Sequence, residues 1–312
     1  MKKLLLILLT AFSCFAYAQK SITVVVSFPA GGDTDVLARM FAEQLTNRLN
    51  IPVIVENRTG ASGTIGNQYV AQANPDGTTL LLTPNTMVMA PLLLRGGARY
   101  DPADFTPIML VSRQSMFVVV NSNTGVINFK DFIAASKSNK LTGYASPGAG
   151  SPMHILGEVV NKSTGINLTH IPYRGNAPAV IDLLNGQVPV MYTSLVPVLQ
   201  HLEQGKLKVL AVADNKRSPY QPNVPTLAEL GYPGIEIYGW MGFVGPKGMP
   251  DDLVKKLNIE LNEILKMPEI SNRLKLLAFT SIGGSPEVLK QHIVNDHIRY
   301  SKIIKDVGIQ ID

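Results

Sequence analysis

Ser27-Phe28-Pro29-Ala30-Gly31-Gly32-Asp33-Thr34-Asp35 is the stretch on which the fold turns. Behind it, Ile22 to Phe28 is a β-branched run that reads as a strand. Ahead of it, Val36, Leu37, Met40, Phe41 and Leu45 recur at helical spacing. Strand, glycine turn, amphipathic helix is the unit from which parallel α/β sheets are assembled. Glycines let a backbone approach a ligand closely, and a helix N-terminus presents unpaired N–H groups with a partial positive charge. The turn is therefore a candidate anion site, with Phe28, Ala30, Gly31, Gly32, Thr34 and Asp35 as its ligand-binding residues. The same residues also suit plain helix capping by Asp33, Thr34 or Asp35. Capping and binding are compatible, because one side chain occupies only one or two of the free N–H groups. No Gly-Lys-Ser/Thr follows, so this is not a P-loop, and the glycine spacing is not that of a dinucleotide site.

Outward from the turn the alternation continues. Strands are expected at 53–56, 79–83, 108–111, 116–121, 142–145, 169–172, 189–193 and 208–213, with an extended stretch at 235–244. Helices are expected near 129–138, 152–164, 176–185, 251–266, 268–277 and 286–307, and 84–107 reads as irregular. Strands at 116–121 and 237–244 bracket a middle block with its own βαβ pattern. The simplest topology is a discontinuous first lobe, 19–120 plus 240–312, with a second lobe, 121–239, inserted into it. Two crossing strands would form the hinge, and the last three helices would return to brace the first lobe.

A second glycine turn, Ser146-Pro147-Gly148-Ala149-Gly150-Ser151-Pro152, opens a helix after a strand in the second lobe. Ser151 suits the N-cap and Pro152 the first helical position. Two such turns, one per lobe, could grip an anionic molecule across a cleft, which adds Ser146, Gly148, Ala149, Gly150 and Ser151 to the candidates. Arg174 could contact a carboxylate or simply sit in solvent. Asn85 after the third strand and Thr193 and Ser194 after the 189–193 strand stand at strand ends, where ligands of open α/β sheets lie.

The chain begins Met1-Lys2-Lys3, then runs apolar from Leu4 through Phe12 to Ala16-Tyr17-Ala18. These are the parts of a secretory signal peptide, residues 1–18, cleaved after Ala18. The mature chain would lose the only cysteine, Cys14, and with it thiol catalysis and cysteine metal sites. Its formal charge falls from +5 by the two leading lysines to +3, without basic clusters, which argues against a nucleic-acid partner. Of the five histidines no two show a metal spacing, no serine lies in a nucleophile elbow, and carboxylates occur singly. Neither an enzyme, a metal nor a cofactor is expected.

Several segments together resemble the Bug (TctC-like) extracytoplasmic solute receptors of tripartite tricarboxylate transporters. They are Val26–Arg39, Val55–Gly63, Pro75–Leu81, Asp104–Ile108, Ser146–His154, His170–Gly175, Val224–Gly231 and Trp240–Phe243, in the family's order and over nearly the whole mature chain. Asp33, Met87 to Ala90 and Gly96 to Arg99 depart from its pattern. The resemblance implies a type II periplasmic-binding-protein fold, two α/β lobes joined by a two-strand hinge with a cleft between them. It also implies a small carboxylate (a di- or tricarboxylate or related organic acid) held largely by backbone N–H groups of the two turns, with Asn85 and Thr193-Ser194 as supporting contacts. The expected partner is a membrane complex of one large and one small integral subunit, and the expected receptor is a periplasmic monomer. A periplasmic sensing adaptor using the same cleft is the alternative. Few aromatic residues besides Phe28, Tyr173 and Trp240 lie near the pocket segments, which favours an aliphatic solute.

Overall fold

A computed structural model describes residues 21–94 and 98–309. The signal peptide with its cleavage after Ala18, and the Gly96-Gly97 departure, lie outside the described residues.

The first sheet contains β1 (Ile22–Val26), β2 (Val53–Asn57), β3 (Thr79–Pro84) and β4 (Phe105–Ser115). The second contains β5 (Phe117–Asn121), β6 (Gly143–Ser146), β7 (Thr169–Pro172), β8 (Val190–Thr193) and β9 (Leu207–Val212). The chain then returns to the first sheet with β10 (Tyr238–Pro246) and β11 (Thr280–Ser281). The strand orders are β11-β4-β10-β3-β1-β2 and β7-β6-β8-β5-β9. β1 runs parallel to β2 and β3, and β6 runs parallel to β7 and β8. The carboxyl ends of these parallel strands therefore gather on one edge of each sheet, and that is where the candidate residues sit.

Helices cover both faces: α1 (Asp33–Leu49), α2 (Thr64–Ala71), α3 (Thr86–Leu93), α4 (Phe129–Lys137), α5 (Pro152–Thr164), α6 (Asn176–Leu184), α7 (Leu199–Glu203), α8 (Asp251–Lys266), α9 (Pro268–Leu276) and α10 (Pro286–Val307). Alternation along the strands divides the side chains between them. Val24, Val26, Leu80 and Leu82 join the core under α1 and α8, while Val25 and Leu81 join the opposite core with Trp240 and Leu289. In the second sheet Val118 and Tyr192 face α5, and Val119 and Met191 face α6.

Three differences from the sequence expectation have physical causes. Residues 86–93, read as irregular, form α3. Their run is apolar from Met87 onward and contains Pro91, so it shows neither helical periodicity nor an uninterrupted helix former. The change between sheets lies at Met116, with β5 wholly in the second sheet, where the expected boundary fell after 120; the return lies at Tyr238 and not at 240. Finally, α10 does not brace the first lobe alone. Leu289 and Ile293 pack beside Trp240, whereas Tyr300 and Ile304 join the core of the second lobe with Leu156 and Val160. The helix thus straps the two lobes together.

At the crossing, Ala213 N donates to Met116 O (2.9 Å) and Ile237 N to Ala213 O (3.0 Å). Arg113, near the end of β4, pairs with Asp214 (2.8 Å) and Glu236 (3.1 Å) and lies 3.7 Å from the centre of the Tyr238 ring. Ser115 Oγ also donates to Asp214, at 2.8 Å. The hinge is bound by charge as well as by backbone.

Candidate functional site

The first turn leaves β1 at Ser27 and enters α1 at Asp33, with Gly32 as N-cap and no side chain capping it. Ala30, Gly31 and Gly32 are exposed, and Thr34 and Asp35 are buried. Gly31 has φ +84°, and a Cβ built there would meet nothing within 4 Å, so its backbone borders open space. Of the three expected cappers it is Asp35 that reaches back. Its carboxylate accepts Gly31 N–H (2.9 Å), Asn57 Nδ2 (2.9 Å) and both Arg39 Nε and Nη2 (3.0 Å each). Burial would raise this carboxyl, but the bonds from Arg39, Gly31 and Asn57 outweigh it and hold it at about 2. Asp35 is thus an ionised post that shapes the turn. Asn57 ties the same turn down by donating to Phe28 O at 3.0 Å. The Phe28 ring packs over Gly63, where a Cβ would come within 3.1 Å of it. Burial pushes the Asp33 carboxyl up. Among the described residues the N–H groups of Asp33, Thr34 and Asp35 find no acceptor, which leaves the N-terminus of α1 free to bind an anion.

The second turn is more self-satisfied. Ser151 is the N-cap of α5 as its spacing suggested, accepting His154 N–H at 3.2 Å and donating to Gly148 O at 2.7 Å. Ser146 Oγ accepts Gly148 N–H (3.3 Å), and Gly150 N–H donates to His154 Nδ1 (3.1 Å). Among the described residues the N–H groups of Ala149 and Met153 stay open. Tyr173 N donates to Ser146 O (3.0 Å) and Gly175 N to Pro147 O (2.9 Å), so the exposed Arg174 stands beside the turn. At the end of β8, Thr193 is fully buried and donates to Asn176 Oδ1 at 3.4 Å, with Ser194 next to it, also buried.

Asn85, 1 % exposed, is held from both sides of its chain: its N–H donates to Trp240 O (3.1 Å) and its Nδ2 to Tyr238 O (2.9 Å). It locks β3 to the hinge strand β10. A cavity of about 100 Å³ opens there between the lobes, lined by Asn85 and Thr86 from one and Pro152 and Met153 from the other. Gln114, Met116, Trp240 and Phe279 also line it, and the buried Thr86 hydroxyl has no hydrogen-bond partner among the described residues. A larger groove of about 380 Å³ lies against α10, between Asp101–Pro107 and Lys290–Ile298, and includes none of the turn residues. Thr86 stands beside Asn85 among the strand-end residues expected to line the cleft, whereas sequence reasoning missed Asn57, Gln114 and the pairing of His154 with His170. Asn57 carried a signal, since it ends the strand parallel to β1; the others come together only through the tertiary fold.

With that geometry in place, the model of the TctC family, the tripartite tricarboxylate transporter family receptor, matches residues 37–309. The chain belongs to this family. Its members are solute-binding receptors and not enzymes. The structure of the periplasmic binding protein BugD is 35% identical, with a TM-score of 0.80 over 93% of this chain and 98% of that one. Rpa4515 of R. palustris, solved with adipate, is 31% identical, with a TM-score of 0.83 over 94% and 99% of the two chains. MatC of Rhodopseudomonas palustris, solved with bound malate, is 30% identical, with a TM-score of 0.79 over 91% and 98%. The TctC receptor described here therefore has the type II periplasmic-binding-protein fold, with two lobes, a two-strand hinge and a cleft, and is a periplasmic solute-binding receptor. No helix among its described residues is long and apolar enough to cross a membrane.

Proposed function

We propose that this receptor captures a small di- or tricarboxylate, or a related organic acid, between its lobes and delivers it to a membrane transporter of one large and one small integral subunit. The chain is exported and cleaved after Ala18 on this reading. The observation that carries it is the set of open N–H groups at two helix N-termini, Asp33 to Asp35 in one lobe and Ala149 and Met153 in the other. Such groups are fixed before the ligand arrives, so an anion gains partners without a cost in reorganisation. Ala30, Gly31 and Gly32 shape one half of the grip and Ser146 to Ser151 the other, while Asp35 and Asn85 hold the backbone that presents it. Arg174 adds positive charge at the rim, and Thr193 and Ser194 line the adjoining strand end. That one relative was solved with adipate and another with malate supports a carboxylate ligand.

A thermal-shift screen of carboxylates, malate and adipate included, against their uncharged amides tests the reading. A ligand that binds only the folded state stabilises it by about 2.7 kcal/mol at 100 times its dissociation constant. An acid that raises the midpoint where its amide does not supports the grip; stabilisation by amides and acids alike contradicts it.

A further inference from the structure

Beneath the second turn lies a group of buried and half-buried titratable side chains that carboxylate binding leaves without a role. His154 on α5 and His170 on β7 stack face to face, ring centres 3.9 Å apart and planes 12° from parallel. Tyr144 on β6 stacks with His170 at 5.0 Å and meets Tyr192 of β8 edge-on. The charged group facing the stack is Glu158 of α5, which accepts the Tyr144 hydroxyl at 2.5 Å. Both rings are wired to the turn: Gly150 N–H donates to His154 Nδ1 (3.1 Å), and His170 Nε2 and Ser146 Oγ are 2.7 Å apart.

We propose that His154 is the positioning residue of the second glycine turn: its unprotonated Nδ1 holds the Gly150 N–H, and protonation releases the turn and weakens ligand capture. The inference rests on the receptor reading above for its last clause only. The chemistry of the hold is one-sided. A neutral imidazole can accept through Nδ1, whereas an imidazolium has two N–H donors and no acceptor. Protonated His154 would set Nδ1–H against Gly150 N–H, and the turn would have to move. Its neighbours make that protonation unfavourable at neutral pH, since the site is buried and a second imidazole lies parallel to it. Burial pushes His154 down to about 4, and burial together with the nearby His154 does the same to His170. The turn is therefore locked above that range and unlocked below it.

The test has two arms. In the first, nitrogen-resolved magnetic resonance follows the protein without ligand from about pH 7.5 downward. The His154 ring and the Gly150 amide should shift together with one midpoint near 4. His154→Asn, whose amide oxygen can take the place of Nδ1, should keep the Gly150 bond and abolish its pH response, while His154→Leu should lose the bond at every pH. A Gly150 amide that ignores the titration of His154 in the wild-type protein overturns the proposal, whether or not either variant folds. In the second arm, calorimetry measures malate and adipate on wild type and His154→Asn in parallel, which cancels the acids' own protonation. The wild-type dissociation constant should rise relative to the variant's by about two-fold at the midpoint and about ten-fold one pH unit lower. A constant ratio overturns the link to capture. If no carboxylate binds at all, the receptor reading fails, and the first arm still decides whether His154 holds the turn.

Discussion

Replacing Asp35 by asparagine should remove about 2 kcal/mol of stability at neutral pH, and this loss should fade in acid. The carboxylate is 3 % exposed and accepts bonds from Gly31, Arg39 and Asn57. Burial alone would raise it, but those bonds and the Arg39 charge carry it from 3.8 to about 2. At about 1.4 kcal/mol per pH unit, the difference favours the folded state by about 2 kcal/mol. The folded value is the lower one, so the contribution is complete above about pH 5 and is lost as pH falls through about 2. About half of it should already be gone near pH 3. Urea unfolding of wild type and Asp35→Asn at a series of pH values reads this directly, provided the slopes match. A difference between the two proteins that stays constant from pH 7 to 3 would refute the argument that an ionised Asp35 holds the first turn.

Three further outcomes follow from the same geometry. Gly31→Ala places a side chain at φ +84° in empty space, so it should cost about 1–2 kcal/mol and leave the fold intact, yet weaken carboxylate binding at least about ten-fold in calorimetry. Gly125→Ala, at φ +72° and equally unobstructed but outside the turns, should match the stability loss and keep the affinity. Trp240→Phe deletes the 2.7 Å bond from Nε1 to the fully buried Asp296, leaving a carboxylate that burial already pushes up short of a donor; chemical denaturation should show a loss of about 2 kcal/mol or more. The neutral histidines, buried His154 and half-buried His170, should make stability fall as pH drops from about 6.5 through about 4, because the unfolded chain takes up their protons first.

The strand–turn–helix units around Gly31 and Gly150 were legible because β-branched runs and helical spacing stand on either side of glycines that neither element tolerates well. The same alternation also marked β5 to β9 as a block set between strands of the first sheet. What escaped was information carried by neighbours distant in sequence. The stripe Leu289, Ile293, Tyr300 and Ile304 announces one buried helix face, but nothing in its spacing says that its two ends enter different cores. α3 hid because every position from Met87 to Leu93 is apolar and Pro91 interrupts it. In the site, Asp35 and Arg39 stand four apart on one helix, a spacing that already suggests their ion pair. By contrast, β6 and β7 set Tyr144 beside His170, and His154 reaches His170 from α5, so no spacing in the sequence announces the stack.

On the function proposed above, one carboxylate is gripped by backbone N–H groups from both lobes. A crystal structure of the mature receptor with an acid that raises its unfolding midpoint tests this most directly. Carboxylate oxygens should lie within hydrogen-bond distance, about 2.7–3.2 Å, of N–H groups at the start of α1 and in the 148–153 segment. A carboxylate held by Arg174 alone, by one turn without the other, or in the groove along α10 would contradict it.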